Sequence, residues 1–189
     1  MMTSDHDVNT TGLNPLATAL LGAAAGAFGV WALDRLDWAM WDRESAESRA
    51  QTTAVRPGGE PPAQALVTKV EQASGVATTP GTHEALGQIV HYTIGVAPAI
   101  GYALLRDKLP GRGATRGALY GLGLFVVEDE LLNPLTGLAA KPGAYPWQAH
   151  ARGFFAHLLY GLATEFALNA AELGIARSRR VPNDGRSNY

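Results

Sequence analysis

Long apolar blocks separated by polar segments dominate the hydrophobic pattern of the chain. The blocks run from Leu16 to Leu33, from Leu86 to Leu105, from Ala114 to Val127 and from Arg152 to Leu173. An α-helix needs about 20 predominantly apolar residues to cross the roughly 30 Å hydrocarbon core of a bilayer. The pattern therefore predicts an all-α fold, an integral membrane bundle of four transmembrane helices.

A soluble bundle of buried helices is the competing interpretation. Surface helices of soluble proteins alternate apolar and polar faces with a period near 3.6 residues. Here the blocks are apolar all round and rich in alanine and in the 22 glycines of the chain, as is typical of helices that pack in bilayers. We therefore favour the membrane interpretation.

The blocks also predict the domain organisation. The domain is expected at residues 13–174, with helices at about 13–41, 84–106, 114–132 and 148–174. After the first helix, a polar loop rich in Ser, Thr, Gly and Pro covers 44–83. Within this loop, prolines and a following glycine predict a short helix at about 62–74.

Tails flank the predicted bundle at both ends. Residues 1–12 are predicted to form a disordered N-terminal tail, and residues 175–189 a basic polar tail. The short connection between the second and third helices is also basic, and basic residues favour the cytoplasmic side of a membrane. Both termini are therefore expected to be cytoplasmic.

Glycine pairs predict where the helices approach one another. Gly22 and Gly26 lie four residues apart on the first helix, and Gly117 and Gly121 on the third. Small residues at this spacing let helix backbones come close inside lipid.

Composition narrows the function and the partners. The net charge is −2 and there is no basic run that would track a phosphate backbone, which makes nucleic acid an unexpected partner. The absence of cysteine excludes disulfides, thiolate zinc sites and a cysteine nucleophile. The expected partner is the lipid bilayer, with a homo-oligomer or a membrane complex left open.

Placing an ionisable side chain inside the bilayer costs free energy, and such residues in membrane helices are often functional. At 1.5 Å per residue, most of the histidines and acids of the predicted helices fall within about 12 Å of the same end of the bundle. They form one layer, to which the first helix adds Asp34 and Asp37. The others are His91, Glu128, Asp129, Glu130, His150 and His157.

The last helix carries a polar track. His150 and His157 are seven residues apart, about two helical turns, and share a face. Tyr160 extends this track, whereas Glu165 lies about 60° away and about 12 Å deeper than His157. Glu165 is the deepest charge and therefore needs a partner or a proton.

Three hypotheses account for this layer. In the first, it binds a divalent metal through His91, Asp129, His150 and His157, although no Glu-x-x-His motif is present. In the second, it is a proton-accepting network, because histidine titrates near neutral pH. That network would comprise His91, Glu128, Asp129, Glu130, His157, Tyr160 and Glu165. In the third, the acids cap a helix end and the histidines make interhelical hydrogen bonds.

Four stretches of the second half resemble the YagU family of small bacterial inner-membrane proteins. They are "HYTIGVAPAIGY", "RGALYG", "NPLTGL" and "PWQAHARGFFAHLLYGLATE". His91, His150, His157 and Glu165 match family positions. Where the family tends to carry a histidine before the proline turn, this chain has "VEDELLNP", with Asp129 nearest.

The resemblance implies a multi-pass helical protein of the bacterial inner membrane that is associated with acid stress. Together with the layer, it predicts a non-enzymatic role in proton or ion handling. The alternatives are a membrane-bound metal-dependent enzyme acting on a lipophilic substrate, and an assembly subunit of a membrane complex.

Overall fold

A computed structural model describes residues 13–180 of the chain. Within that range the chain is helical and contains no strand. Its six main helices are α1 (Pro15–Trp41), α2 (Ala46–Val55), α3 (Pro62–Ser74), α4 (Pro80–Leu105), α5 (Ala114–Leu124) and α6 (Trp147–Arg180). The predicted tail 1–12, and residues 181–189 of the predicted tail 175–189, lie outside the described residues.

Local sequence explains several of the helix ends. The side-chain oxygen of Asn14 accepts a hydrogen bond from the backbone N–H of Ala17 (2.8 Å) at the start of α1. Ser45 caps α2 in the same way, through the N–H of Ser48 (3.1 Å). α3 ends at Gly75, whose φ of 71° is a left-handed conformation that glycine adopts without strain.

The structure differs from the predicted boundaries in the polar loop and in the last helix. α3 coincides with the predicted short helix, but α2 lies where only loop was predicted, because its polar sequence has no apolar period. α4 begins at Pro80, before the predicted 84. The last helix, α6, continues past the predicted end at 174 as far as Arg180.

The third predicted helix is not a regular α-helix. After α5 the chain continues as a π-helix over Phe125–Leu132 and then makes one last α-helical turn, Asn133–Leu135. The N–H of Asn133 donates to the carbonyl oxygen of Glu128, five residues earlier. Such π-segments occur frequently at functional sites, because the wider turn changes the direction of the side chains.

Four long segments form the bundle. α1 packs between α4 and α6, α6 also packs against α5, and α3 lies against α4. The aromatic rings of Tyr102 on α4 and Tyr120 on α5 stack with their centroids 3.9 Å apart, which joins these two helices at one level.

The predicted glycine pairs lie at helix crossings, which confirms that prediction. A Cβ atom at Gly26 would lie 2.5 Å from the Cβ of Ala99 on α4, and one at Gly22 would lie 2.8 Å from that of Ala103. A Cβ at Gly117 would lie 2.7 Å from the carbonyl oxygen of Gly161 on α6. Larger side chains would force these helices apart.

Large apolar side chains lie mainly on the outside of the bundle, whereas small residues fill much of the inside. Two helical segments, Pro15–Trp41 and Pro80–Lys108, are long and apolar enough to cross a membrane. In their most apolar windows only 33% and 17% of the residues are buried. Most residues of these two windows are therefore not buried inside the bundle.

Candidate functional site

A cavity of about 620 Å³ lies at the end of the bundle where α1 ends and α6 begins. α1, α3, α4, the π-helix and α6 all contribute to its wall. Its ionisable lining residues are Asp34, Asp37, Arg56, His91, Glu128, Asp129, Arg152 and His157. The structure thus brings six residues of the predicted layer to one cavity, namely Asp34, Asp37, His91, Glu128, Asp129 and His157.

The first histidine of the cavity is paired across two helices. His91 Nε2 on α4 lies 2.8 Å from Asp34 Oδ1 on α1. The Asp34 side chain is 11% exposed, whereas that of His91 is 36% exposed. The pair therefore links a sheltered carboxyl group to an imidazole that solvent reaches.

The second histidine faces the π-helix. His157 Nδ1 lies 2.9 Å from the carbonyl oxygen of Gly153, and because a carbonyl only accepts, Nδ1 donates. The same nitrogen is 3.7 Å from Asp129 Oδ2. Asn133 Nδ2 donates to the other oxygen of that carboxyl group at 3.3 Å. Asp129 is thus held between α6 and the turn that follows the π-helix.

A third histidine borders an adjoining cavity of about 160 Å³, which also reaches Asp37, Arg56 and Asp129. His150 Nε2 lies 3.0 Å from the carbonyl oxygen of Pro142, and its Nδ1 lies 2.7 Å from Glu130 Oε1. Both ring nitrogens therefore face acceptors. Both hydrogen bonds form only if Nε2 carries a proton and a second proton lies between Nδ1 and the Glu130 carboxyl group.

Arg152 ties the last helix to the first. Its Nε donates to Glu44 Oε1 at 3.0 Å and its Nη1 to Asp37 Oδ1 at 3.2 Å. The guanidinium carbon also lies 4.8 Å from the ring centroid of Trp41. The residue is only 5% exposed, so its charge is balanced by these carboxylates. Nothing in the apolar pattern singles out Arg152, although a basic residue in an apolar block signals an acidic partner elsewhere.

Arg56 follows α2 and lines both cavities. Its guanidinium carbon lies 5.8 Å from the ring centroid of Trp41. Among the described residues, no carboxylate lies within ion-pairing distance of it. Burial lowers the pKa of Arg56, and the nearby charge of Arg152 adds to this effect.

Like Arg56, the acidic residue Glu128 borders the cavity without an ion-pair partner among the described residues. It lies on the π-helix and lines the larger cavity. Within the described part of the chain, its carboxylate has neither a hydrogen-bond partner nor an ion-pair partner. Arg56 and Glu128 are therefore two cavity charges that neighbouring side chains leave unpaired.

Glu165 belongs to a different cluster, deeper in the bundle. It is 2% exposed and accepts hydrogen bonds from Tyr102 Oη (2.7 Å), Arg106 Nη1 (3.2 Å) and Asn169 Nδ2 (3.1 Å). Arg106 also bonds to Glu172. The deepest charge thus has a basic partner, which lies just beyond the end of α4 where the sequence pattern gave no signal.

Tyr160 lies between the cavity and this deeper cluster. Its hydroxyl group donates to the carbonyl oxygen of Gly95 at 2.6 Å. The same hydroxyl oxygen lies 2.9 Å from the hydroxyl oxygen of Tyr120. The residue is 2% exposed. It therefore joins α4, α5 and α6, and it does not line the cavity.

The metal hypothesis finds no ligand group in the part of the chain that the structure describes. There, no three His, Asp or Glu side chains are placed to hold a metal ion. His150 is bonded to Glu130, and His91 to Asp34. The four candidate ligands are thus distributed over separate pairs.

The fourth described histidine lies outside the cavity, where α3 meets α4. His83 Nδ1 is 3.2 Å from Glu71 Oε2, and its Nε2 is 3.4 Å from Glu60 Oε1. Hydrogen bonds from Thr78 lower the pKa of Glu71, and His83 adds to the effect. This cluster holds the polar segment against the start of α4.

Fold and site together define an all-helical bundle that encloses a charged cavity, built around histidine–carboxylate pairs, at one end. Comparisons with protein-family models, with curated proteins and with solved structures find no match to this chain.

Proposed function

We propose that the bundle is an integral membrane protein whose four long segments, α1, α4, α5 with its π-helix, and α6, all cross the bilayer. Only α1 and α4 are apolar enough to be candidates by composition. The support for the other two is their outward surface. Leu119, Val126 and Val127 on the third segment, and Phe155 and Phe166 on α6, are all exposed. Such surfaces suit lipid better than water.

The buried acidic residue of α6 agrees with this placement. Glu165 lowers the average hydropathy of α6, but it is buried inside the bundle with Arg106. Polar groups in membrane helices normally face the bundle interior and pair there. Hydropathy counted along the sequence therefore understates how apolar the outer face of α6 is.

The proposed location is a bacterial inner membrane, with both termini cytoplasmic. The orientation rests on the basic connection between α4 and α5, which carries Arg106, Lys108 and Arg112, and on Arg116 in the first turn of α5. In this orientation the cavity opens toward the opposite, outer side.

We further propose that the protein handles protons at the cavity, in a role linked to acid tolerance. The observation that carries this proposal is the pairing of every histidine in the layer with a carboxylate, His91 with Asp34, His150 with Glu130, and His157 with Asp129. Histidine is the side chain whose charge changes between about pH 5 and 8. Protons from the outer side would therefore change the charge of the cavity wall.

Tryptophan fluorescence provides the test, because Trp38 and Trp41 line the cavity. The experiment uses the full chain in detergent with Trp31→Phe and Trp147→Phe, which leaves only the two cavity tryptophans. Emission should change between pH 8 and pH 5, and the change should disappear in a variant that also carries His91→Gln and His157→Gln.

The matched control is His83→Gln, since His83 is also paired with carboxylates but lies outside the cavity. It should retain the full fluorescence change. A change that persists without His91 and His157, or one that is lost with His83, would contradict proton handling at the cavity.

A further inference from the structure

Among the described residues, the charges of the cavity wall leave one positive and one negative group without an ion-pair partner. Asp34 is bonded to His91, and Arg152 is bonded to Asp37. In the described chain, Arg56 and Glu128 remain without ion pairs, and both line the cavity. A molecule that satisfied both would carry a cationic and an anionic group.

The rest of the wall is apolar and the space is large enough for a small molecule. Leu33, Ile94, Leu132 and Leu138 line the same cavity. Its volume of about 620 Å³ falls within the range of roughly 300–1,000 Å³ in which proteins bind small ligands. The cavity therefore suits an amphiphile better than a bare ion.

The cavity is least enclosed on the side between α4 and the π-helix. α1 and α6 pack together and with their other neighbours, whereas α4 and α5 make few contacts and are joined by the Tyr102–Tyr120 stack farther along the bundle. Ile94 on α4 and Leu132 on the π-helix line the cavity and are also exposed, at 38% and 49%. They mark an apolar opening toward the outer surface of the bundle.

We infer that the cavity binds the zwitterionic head of a membrane amphiphile, whose chains leave through the opening between α4 and the π-helix. An ammonium group bonds to Glu128, and a phosphate group bonds to Arg56, because a guanidinium matches phosphate oxygens well. Ile94 and Leu132 contact the chains. The inference rests on the membrane placement proposed above and is independent of proton uptake by the histidines.

Binding of a short-chain phosphatidylethanolamine to the full chain tests this inference. Dihexanoyl phosphatidylethanolamine is titrated into the detergent-purified protein at pH 8, where an ordinary histidine is neutral, and binding is followed by native mass spectrometry. Glu128→Gln and Arg56→Gln should each weaken binding about tenfold, since each removes a charge-assisted hydrogen bond.

Matched controls are Glu84→Gln and Arg177→Gln, which remove the same charges at exposed positions. They should bind the lipid like the unchanged protein. Equal binding by Glu128→Gln and by its control would overturn the inference, provided that circular dichroism shows both to be folded. A second substitution, Glu128→Ala, should reproduce the loss without adding an amide donor.

Two further ligands separate the head from the chains. Dihexanoyl phosphatidylglycerol lacks the ammonium group and should bind about tenfold more weakly, so equal binding would overturn the role of Glu128. Free phosphoethanolamine lacks the chains and should bind more weakly than the lipid. If it bound equally well, the site would be one for a soluble zwitterion and the apolar opening would have no role. Failure of this experiment would leave the fluorescence titration of the histidines unaffected.

Discussion

Replacing Arg106 with methionine tests how the deep cluster is held together. Arg106 is 6% exposed, and its Nη1 lies 3.2 Å from the carboxylate of Glu165, which is 2% exposed. In Arg106→Met this carboxylate would keep only the neutral donors Tyr102 and Asn169. Breaking a buried ion pair by removing one partner costs about 3–5 kcal/mol. Because two donors remain, we expect about 3 kcal/mol.

Thermal unfolding in detergent measures this loss. For a chain of this size, 1 kcal/mol shifts Tm by about 2–4 °C, so Tm should fall by about 6–12 °C. The double variant with Arg106→Met and Glu165→Met removes both charges and should recover most of the loss, because a buried pair replaced by apolar groups is often neutral. Exposed Arg177→Gln is the control. A fall below 2 °C in Arg106→Met, or a double variant no more stable than the single one, would refute the reasoning.

Three further predictions concern other parts of the fold. Gly121→Ala should destabilise the protein by about 1–3 kcal/mol, because its Cβ would meet the backbone of α6. Gly123→Ala has open space around it and should not destabilise the protein. Chemical denaturation compares the two variants. The pKa of Glu71 is lowered in the fold. Its contribution to the stability of the fold is therefore fully present above its unfolded pKa of about 4.3 and disappears as the pH falls through the lower folded pKa. Glu71→Gln should therefore speed hydrogen exchange in α3 more at pH 7 than at pH 3, and equal effects at both would contradict this. Arg152→Gln should loosen the segment that joins α1 to α2, because Arg152 bonds to Glu44 there, and should speed cleavage of that segment in limited proteolysis. An unchanged rate would show that this bond does not hold the segment.

The apolar blocks predicted the long helices because burial and lipid exposure both select apolar residues over whole turns. They also predicted that His91, Asp129 and His157 lie at one end, since helix length alone determines depth. Sequence separation could not predict pairing, because Asp34 and His91 are brought together by the crossing of α1 and α4 at small residues.

Other features depend on tertiary contacts that leave little trace in the sequence. α2 has no apolar period, and its position depends on the Ser45 cap and on contacts with the bundle. The π-helix has ordinary helix-forming residues, yet it redirects Glu128 and Asp129. Arg106 lies just past an apolar block, where a basic residue is equally expected at a membrane surface. Only the fold shows that it turns inward to Glu165.

The central claim, that four segments cross a membrane, is tested most directly by labelling single cysteines. The chain has no cysteine, so each substitution introduces one unique thiol. Glu47→Cys and Lys141→Cys lie beside the cavity end of the bundle, and Arg112→Cys and Ser178→Cys beside the other end. In intact cells, a membrane-impermeant maleimide should label the first two and reach the others only after lysis. Labelling of all four without lysis, or of none, would contradict four crossings.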